Sequence, residues 1–319
     1  MAIKWGYSLN AWTHEENSVR KERNERTFKV LSICGFKGIE LQVGSGRWKP
    51  LGRPSIIETI YGSTEEFDAY LKSLGIEQIV AWNYDPGNMS FEEDSFGHDP
   101  ADAGQSDQIV QAAEKYAVFL EKTGGKALAV RPMLSYWREA PVSDDKLITA
   151  AHCWNKVGAM TKKYGVKVVL SMDWLCAANS AHGIDVMMEN TDPALVDLCI
   201  DTAALALKDI DPVGIYEKYS SRVGLFHFED VMVADELEEH KKPYAEDILK
   251  NGGERGLDRW YWEMGSPEGK GLVDFPGLMK SVRGHGYDGW IIVSGRQSAD
   301  PAASVMFNSW YVQHVLEKN

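Results

Sequence analysis

Short apolar runs alternate with longer amphipathic stretches from one end of the 319-residue chain to the other, eight of each, and this order predicts an α/β fold, a (β/α)8 or TIM barrel. Two further observations favour a closed barrel over an open doubly wound sheet. Several of the runs, such as VKVVL, GLFHF and WIIV, are nearly continuous in hydrophobicity, as parallel strands covered on both faces require. No G-x-G-x-x-G follows the first run and no P-loop occurs, so no nucleotide cofactor is expected.

Taken in order, the strands are expected over 4–10, 38–42, 78–83, 127–133, 166–173, 196–202, 223–230 and 289–295. The helices are expected over 26–34, 64–74, 106–122, 144–164, 186–189, 212–220, 275–285 and 302–317. Glycines at 35, 165 and 286 mark turns from helix back to strand at the bottom of the barrel. The whole chain, 1–319, is expected to form one barrel domain. Two long connections, at about 84–105 and 231–273, follow strand ends and therefore belong on the top face. Connections of such length serve as lids, binding loops or partner-contact surfaces.

The 34 Lys and Arg against 47 Asp and Glu leave a net charge of −13, which disfavours a nucleic-acid or anionic-membrane partner. Eleven Trp and 13 Tyr beside 10 Phe suit surfaces that are apolar yet hydrogen-bonding, such as carbohydrate clefts. The 4 cysteines form no metal-type spacing, and the three that sit inside apolar segments read as buried free thiols. With neither a secretory segment nor an apolar run long enough to span a bilayer, the expected location is cytoplasmic.

In a barrel of this kind the site is assembled at the C-terminal ends of the strands. Asn10, Trp12, Glu40, Gln42, Trp82, Asn83, Arg131, Ser171, Asp173, Asp201, His227, Glu229, Asp230, Ser294, Arg296 and Gln297 all stand there. Polar residues that break apolar strands need partners, and Asp201 and His227 each close such a run. His227, Asp173, Glu40 and Asp230 are candidate proton-transfer groups. Trp12, Trp82, Arg131, Trp137, Ser171, Ser294 and Arg296 are candidate substrate contacts.

Gly35-Phe36-Lys37-Gly38-Ile39-Glu40-Leu41, Leu198-Cys199-Ile200-Asp201-Thr202 and Phe226-His227-Phe228-Glu229-Asp230 resemble strands two, six and seven of the xylose-isomerase-like sugar isomerase/epimerase barrels. Gly269-Lys270-Gly271-Leu272-Val273-Asp274-Phe275, with Gly286-Tyr287-Asp288-Gly289-Trp290, resembles their run into strand eight. The likeness runs in order from Trp5 to the last helix. Inosose dehydratases, hydroxypyruvate and ketose epimerases and 3-oxo-glycoside lyases are the branches it resembles most.

The resemblance implies one divalent ion (Mn2+, Mg2+ or Zn2+) held by a Glu, an Asp, a His and a second Glu on strands five to eight, the glutamates also carrying protons. Asp201 and His227 match this pattern. Ser171 and Ser294 stand where the two glutamates would, and Ala204 where members often carry a further His. Asp173, His182 and Gln297 are the candidate substitute ligands, Asp173 lying two residues beyond Ser171 on the same strand face.

The function implied is an isomerase, epimerase or lyase acting on a sugar, cyclitol or keto-glycoside by proton abstraction next to a carbonyl. The alternative is a catalytically degenerate barrel that binds sugar or serves as a subunit of a larger enzyme. A small-molecule carbohydrate is the expected partner, with a homo-oligomer or a small partner subunit open. The DNA-repair endonucleases of the superfamily are disfavoured, since they need three metals and a basic face.

Overall fold

A computed structural model describes residues 3–12, 21–43, 51–87, 97–247, 261–265, 271–296, 298 and 300–318. Eight parallel strands close into a barrel: β1 (Lys4–Ser8), β2 (Gly38–Gln42), β3 (Gln78–Tyr84), β4 (Ala127–Val130), β5 (Lys167–Ser171), β6 (Val196–Asp201), β7 (Val223–Phe228) and β10 (Trp290–Val293). Neighbours pair in chain order round the ring, and β10 closes it by pairing Trp5 with Ile291 on β1 and His227 with Ile292 on β7. Two short strands, β8 (Asp230–Val231) and β9 (Tyr261–Trp262), pair antiparallel above the mouth, inside the second long connection.

The helices around the barrel are α1 (Lys21–Ile33), α2 (Pro54–Tyr61), α3 (Thr64–Ser73), α4 (Ser106–Thr123), α5 (Tyr136–Glu139), α6 (Asp144–Thr161), α7 (Ala181–Glu189), α8 (Thr202–Leu207), α9 (Pro212–Tyr219), α10 (Phe275–Gly284) and α11 (Pro301–Tyr311). They start where side-chain caps allow. Ser63, Ser143, Ser180, Asp201, Asp211, Asp274 and Asp300 each accept a hydrogen bond from a first-turn N–H, satisfying donors that the helix leaves orphaned. Helices α2, α5 and α8 are not expected from the sequence pattern, and α1 and α7 begin five residues earlier than periodicity suggests. Their amphipathic stripes are short or interrupted, so contact with the barrel rather than local pattern holds them. None of the helices among the described residues is long and apolar enough to cross a membrane.

Two glycines of the strand-two motif have separate duties. Gly35 ends α1 in the left-handed region (φ +88), and a Cβ on Gly38 would meet the Trp290 ring and a Val80 methyl at 2.5 Å.

The interior of the barrel is layered. Ala81, Ala129, Val169, Cys199, Leu225 and Ile292 form a dry cluster in its waist, separate from the larger core between barrel and helices. Because side chains alternate across a strand, the residues two further along face the same interior. Those residues are Asn83, Arg131, Ser171, Asp201, His227 and Ser294, and all six line one cavity at the top. The polar mouth is thus the continuation of the apolar waist.

Candidate active site

The cavity, about 80 Å³ in volume, is also lined by Ser8, Asn10, Gln42, Asp85, Asp173 and Arg296. The last three follow the same step of two, beyond Asn83, Ser171 and Ser294.

At its floor, His227 Nε2 lies 2.6 Å from Glu40 Oε2, while Nδ1 is 3.3 Å from Ser171 Oγ and 3.8 Å from Asp201 Oδ2. Glu40 is fully buried behind the ring. Burial disfavours a charged imidazole, but Cys199, Glu40 and Asp201 outweigh it and hold His227 well above the usual histidine range.

Arg296 crosses the top of this cluster. Its Nη2 donates to Asp201 Oδ2 at 2.9 Å, and its backbone N and Nε donate to Glu229 at 2.8 and 3.0 Å. The ring of Tyr261, delivered by β9, stacks on the guanidinium with its centre 4.5 Å away. Asp201 Oδ1 meanwhile accepts the Ala204 N–H at 3.0 Å as the cap of α8. Burial works against the Asp201 charge, yet Arg296, His227 and that N–H keep its carboxyl below the ordinary range. Glu229 is pushed up by burial, which Arg296 only partly offsets. Ser294 Oγ donates to Glu229 at 3.1 Å and accepts from Asn10 Nδ2 at 2.7 Å.

On the other side of the rim, Arg131 lies 3.3 Å from both Asp85 (through Nη1) and Asp173 (through Nε). Asp173 Oδ1 also accepts the Leu175 and Cys176 N–H groups, each at 2.9 Å. Burial pushes Asp85 up, against the pull of Arg131.

Several sequence-based expectations need correction. Trp82 is fully buried outside the barrel, edge-on to Tyr116 and Phe119 of α4, because only its neighbour Asn83 has the parity to face inward. Trp12 lines an apolar pocket beside the mouth with Leu9, Phe28 and Leu41, and Trp137 packs against Tyr244 at 5.0 Å, so neither borders the polar cavity. Asp230 faces the loops rather than the cavity. Its carboxylate accepts the N–H groups of Val231, Gly265 and Val273, and burial nevertheless pushes it up to about 6. His182 stands on the exposed start of α7, paired with Asp144 at 2.7 Å. Gln297 lies outside the described residues.

The sequence pattern singles out neither Asp85 nor Tyr261 and assigns no partner to Glu229. The step of two from Asn83 was the available signal for Asp85. For Tyr261 there was none, since the β8–β9 pairing that delivers it is non-local.

These residues do not fit a divalent ion between Asp201 and His227. Both Asp201 oxygens already accept hydrogen bonds, from the Ala204 N–H and from the Arg296 guanidinium, and His227 turns Nε2 to within 2.6 Å of Glu40 and Nδ1 to within 3.3 Å of Ser171. Among the described residues there is no group of three or more His, Cys, Asp and Glu side chains arranged to hold a metal. What the arrangement offers chemically is an imidazole and two guanidiniums set among carboxylates, in a cavity lined by hydrogen-bonding side chains.

Comparison with known proteins agrees with this architecture. The chain is 29% identical over 204 residues to an inosose dehydratase of Lacticaseibacillus casei, a match covering 60% of this chain and 64% of that relative, hence less than two thirds of its length. It is 24% identical over 307 residues to an inosose dehydratase of Clostridium tetani, covering 94% of this chain and 91% of that one. The crystal structure of the IOLI protein with a bound zinc atom superposes with a TM-score of 0.67 at 12% identity, covering 99% of both chains, a likeness of fold alone. The family model of the xylose isomerase-like TIM barrel matches residues 28–306, and the chain therefore belongs to that family.

Proposed function

We propose that the protein is a sugar- or cyclitol-directed isomerase, epimerase or lyase that moves a proton next to a carbonyl at the mouth of its barrel. The observation carrying this reading is the buried His227–Glu40 pair at the floor of a cavity otherwise lined by hydrogen-bonding side chains. Each of these reactions requires a group that delivers a proton to an oxygen or carbon and a second that removes one. His227 is the donor, through Nδ1, whose 3.3 Å contact with Ser171 Oγ a substrate oxygen can replace. Glu40 does not line the cavity; it fixes the ring's orientation and charge and is a positioning residue. Asp173, 29% exposed and the more open of the Arg131 partners, is the acceptor.

A polyhydroxylated substrate suits the unused valences. Asn10 Oδ1 and Arg131 Nη2 are buried, have no hydrogen-bond partner, and belong to side chains that line the cavity. Unpaired buried groups of this kind are costly unless a ligand satisfies them. The inosose dehydratase relatives point to ketones of cyclitols as the first compounds to try.

The test is proton NMR of inososes, ketoses and 3-keto-glycosides held with the protein in deuterium oxide. Deuterium should enter the carbon next to the carbonyl, and His227→Asn should slow this by about 100-fold or more, as loss of a general acid does. No exchange with any of these ketones would overturn the reading.

A further inference from the structure

The mouth of the barrel carries a cation of its own where the family resemblance would put a metal. Arg296 is not a mobile surface side chain. Three hydrogen bonds, two to Glu229 and one to Asp201, fix its backbone and guanidinium, and the Tyr261 ring stacks on it. Asp201 and Glu229 are 2% and 0% exposed, and the positive charge of Arg296 between them offsets the cost of burying both. Ser171 and Ser294 add no charge. Ser294 instead extends the hydrogen-bond chain from Asn10 to Glu229, which keeps that carboxylate aimed at Arg296. A histidine that ligates a metal must aim a lone pair at it, and here Nε2 faces Glu40 while Nδ1 faces Ser171.

We propose that the guanidinium of Arg296 takes the place of the divalent ion, so that this barrel works as a metal-independent variant in which Arg296 faces the substrate's carbonyl oxygen. The second half of this statement rests on the function proposed above; the first half does not. A guanidinium is permanently charged and planar and offers its donors in a fixed fork. It stabilises a developing enolate oxygen by preorganised hydrogen bonds, without exchange of ligands. Removing it should leave the Asp201 and Glu229 carboxylates without their shared counter-charge, which an added divalent ion can supply.

The experiment measures metal content by mass spectrometry on the full chain, then visible absorption and melting temperature with added Co2+ or Mn2+. Wild type and Arg296→Lys, which keeps the charge, should hold no stoichiometric metal and show no Co2+ bands. Arg296→Gln should gain Co2+ absorption and a rise in melting temperature, and adding Asp201→Asn should abolish both gains. A stoichiometric ion in the wild type that Asp201→Asn removes would overturn the proposal. So would an Arg296→Gln protein that folds by circular dichroism yet takes up no ion. Should Arg296→Gln not fold, wild-type metal content with and without Asp201→Asn decides the matter. None of these readouts needs a substrate, so they stand apart from the outcome of deuterium exchange.

Discussion

The rim of the barrel divides into two arcs, each built round one guanidinium held by two carboxylates. Over β3–β5, Arg131 sits between Asp85 and Asp173, whose side chains are 22% and 29% exposed. Over β6, β7 and β10, Arg296 sits between Asp201 and Glu229, at 2% and 0%. The residue types match, but the environments differ. Solvent exposure lets water take over part of the solvation of the first arc's carboxylates, whereas in the second Arg296, His227 beside Asp201 and a few neutral donors must compensate the charge. The first arc therefore suits exchange of partners with a substrate, and the second suits a fixed electrostatic field.

Breaking each arc in turn should expose that difference. Arg296→Met removes the shared counter-charge of two buried carboxylates and should cost about 3–5 kcal/mol in urea unfolding, the scale for removing one partner of a buried ion pair. Glu40→Gln removes the carboxylate charge 2.6 Å from His227 and should cost about 1–3 kcal/mol, the desolvation then left uncompensated on the buried ring. Arg131→Met should cost less than Arg296→Met, about 1–3 kcal/mol, because Asp85 and Asp173 regain water. Equal losses for the two arginines would refute the contrast.

The smallest effect is in the pH dependence. The folded pKa of His227 is raised, so its charge stabilises the fold fully below the unfolded value of about 6.5. That contribution is lost as pH climbs through the elevated folded value. Relative to His227→Asn, wild type should lose stability above pH ~6.5 with a slope of at most about 1.4 kcal/mol per pH unit, and Glu40→Gln should flatten the slope. Denaturant midpoints measured at successive pH values check this. A slope of the opposite sign would mean that His227 is neutral in the folded protein.

Much of the mouth is legible in the order of residues alone. The rule that barrel sites form at strand ends selects Asn10, Arg131, Ser171, Asp173, Asp201, His227, Ser294 and Arg296, and all of them line one cavity. The rule misplaces Trp82 because it registers nearness to a strand end and not parity. Trp82 and Tyr84 pack outward on α4 while Asn83 and Asp85 face inward. Trp12 and Trp137 fail for a different reason, since both lie in connections whose direction a strand pattern does not specify. His182 is a candidate ligand by its place after strand five, but α7 begins at Ala181 and turns it outward to Asp144.

What the sequence determined by itself was the barrel, because periodicity and length are local properties that survive without knowledge of contacts. It also determined which strand tips are polar, and that serine stands at two positions where the family resemblance implies glutamate. Only the tertiary structure decided what those serines mean. Arg296 is 95 residues from Asp201 and 67 from Glu229, and Tyr261 reaches it through a pairing of two distant strands. No local pattern encodes the meeting of such groups. Closing the sheet brings them together, and the cost of leaving buried carboxylates unpaired keeps them there.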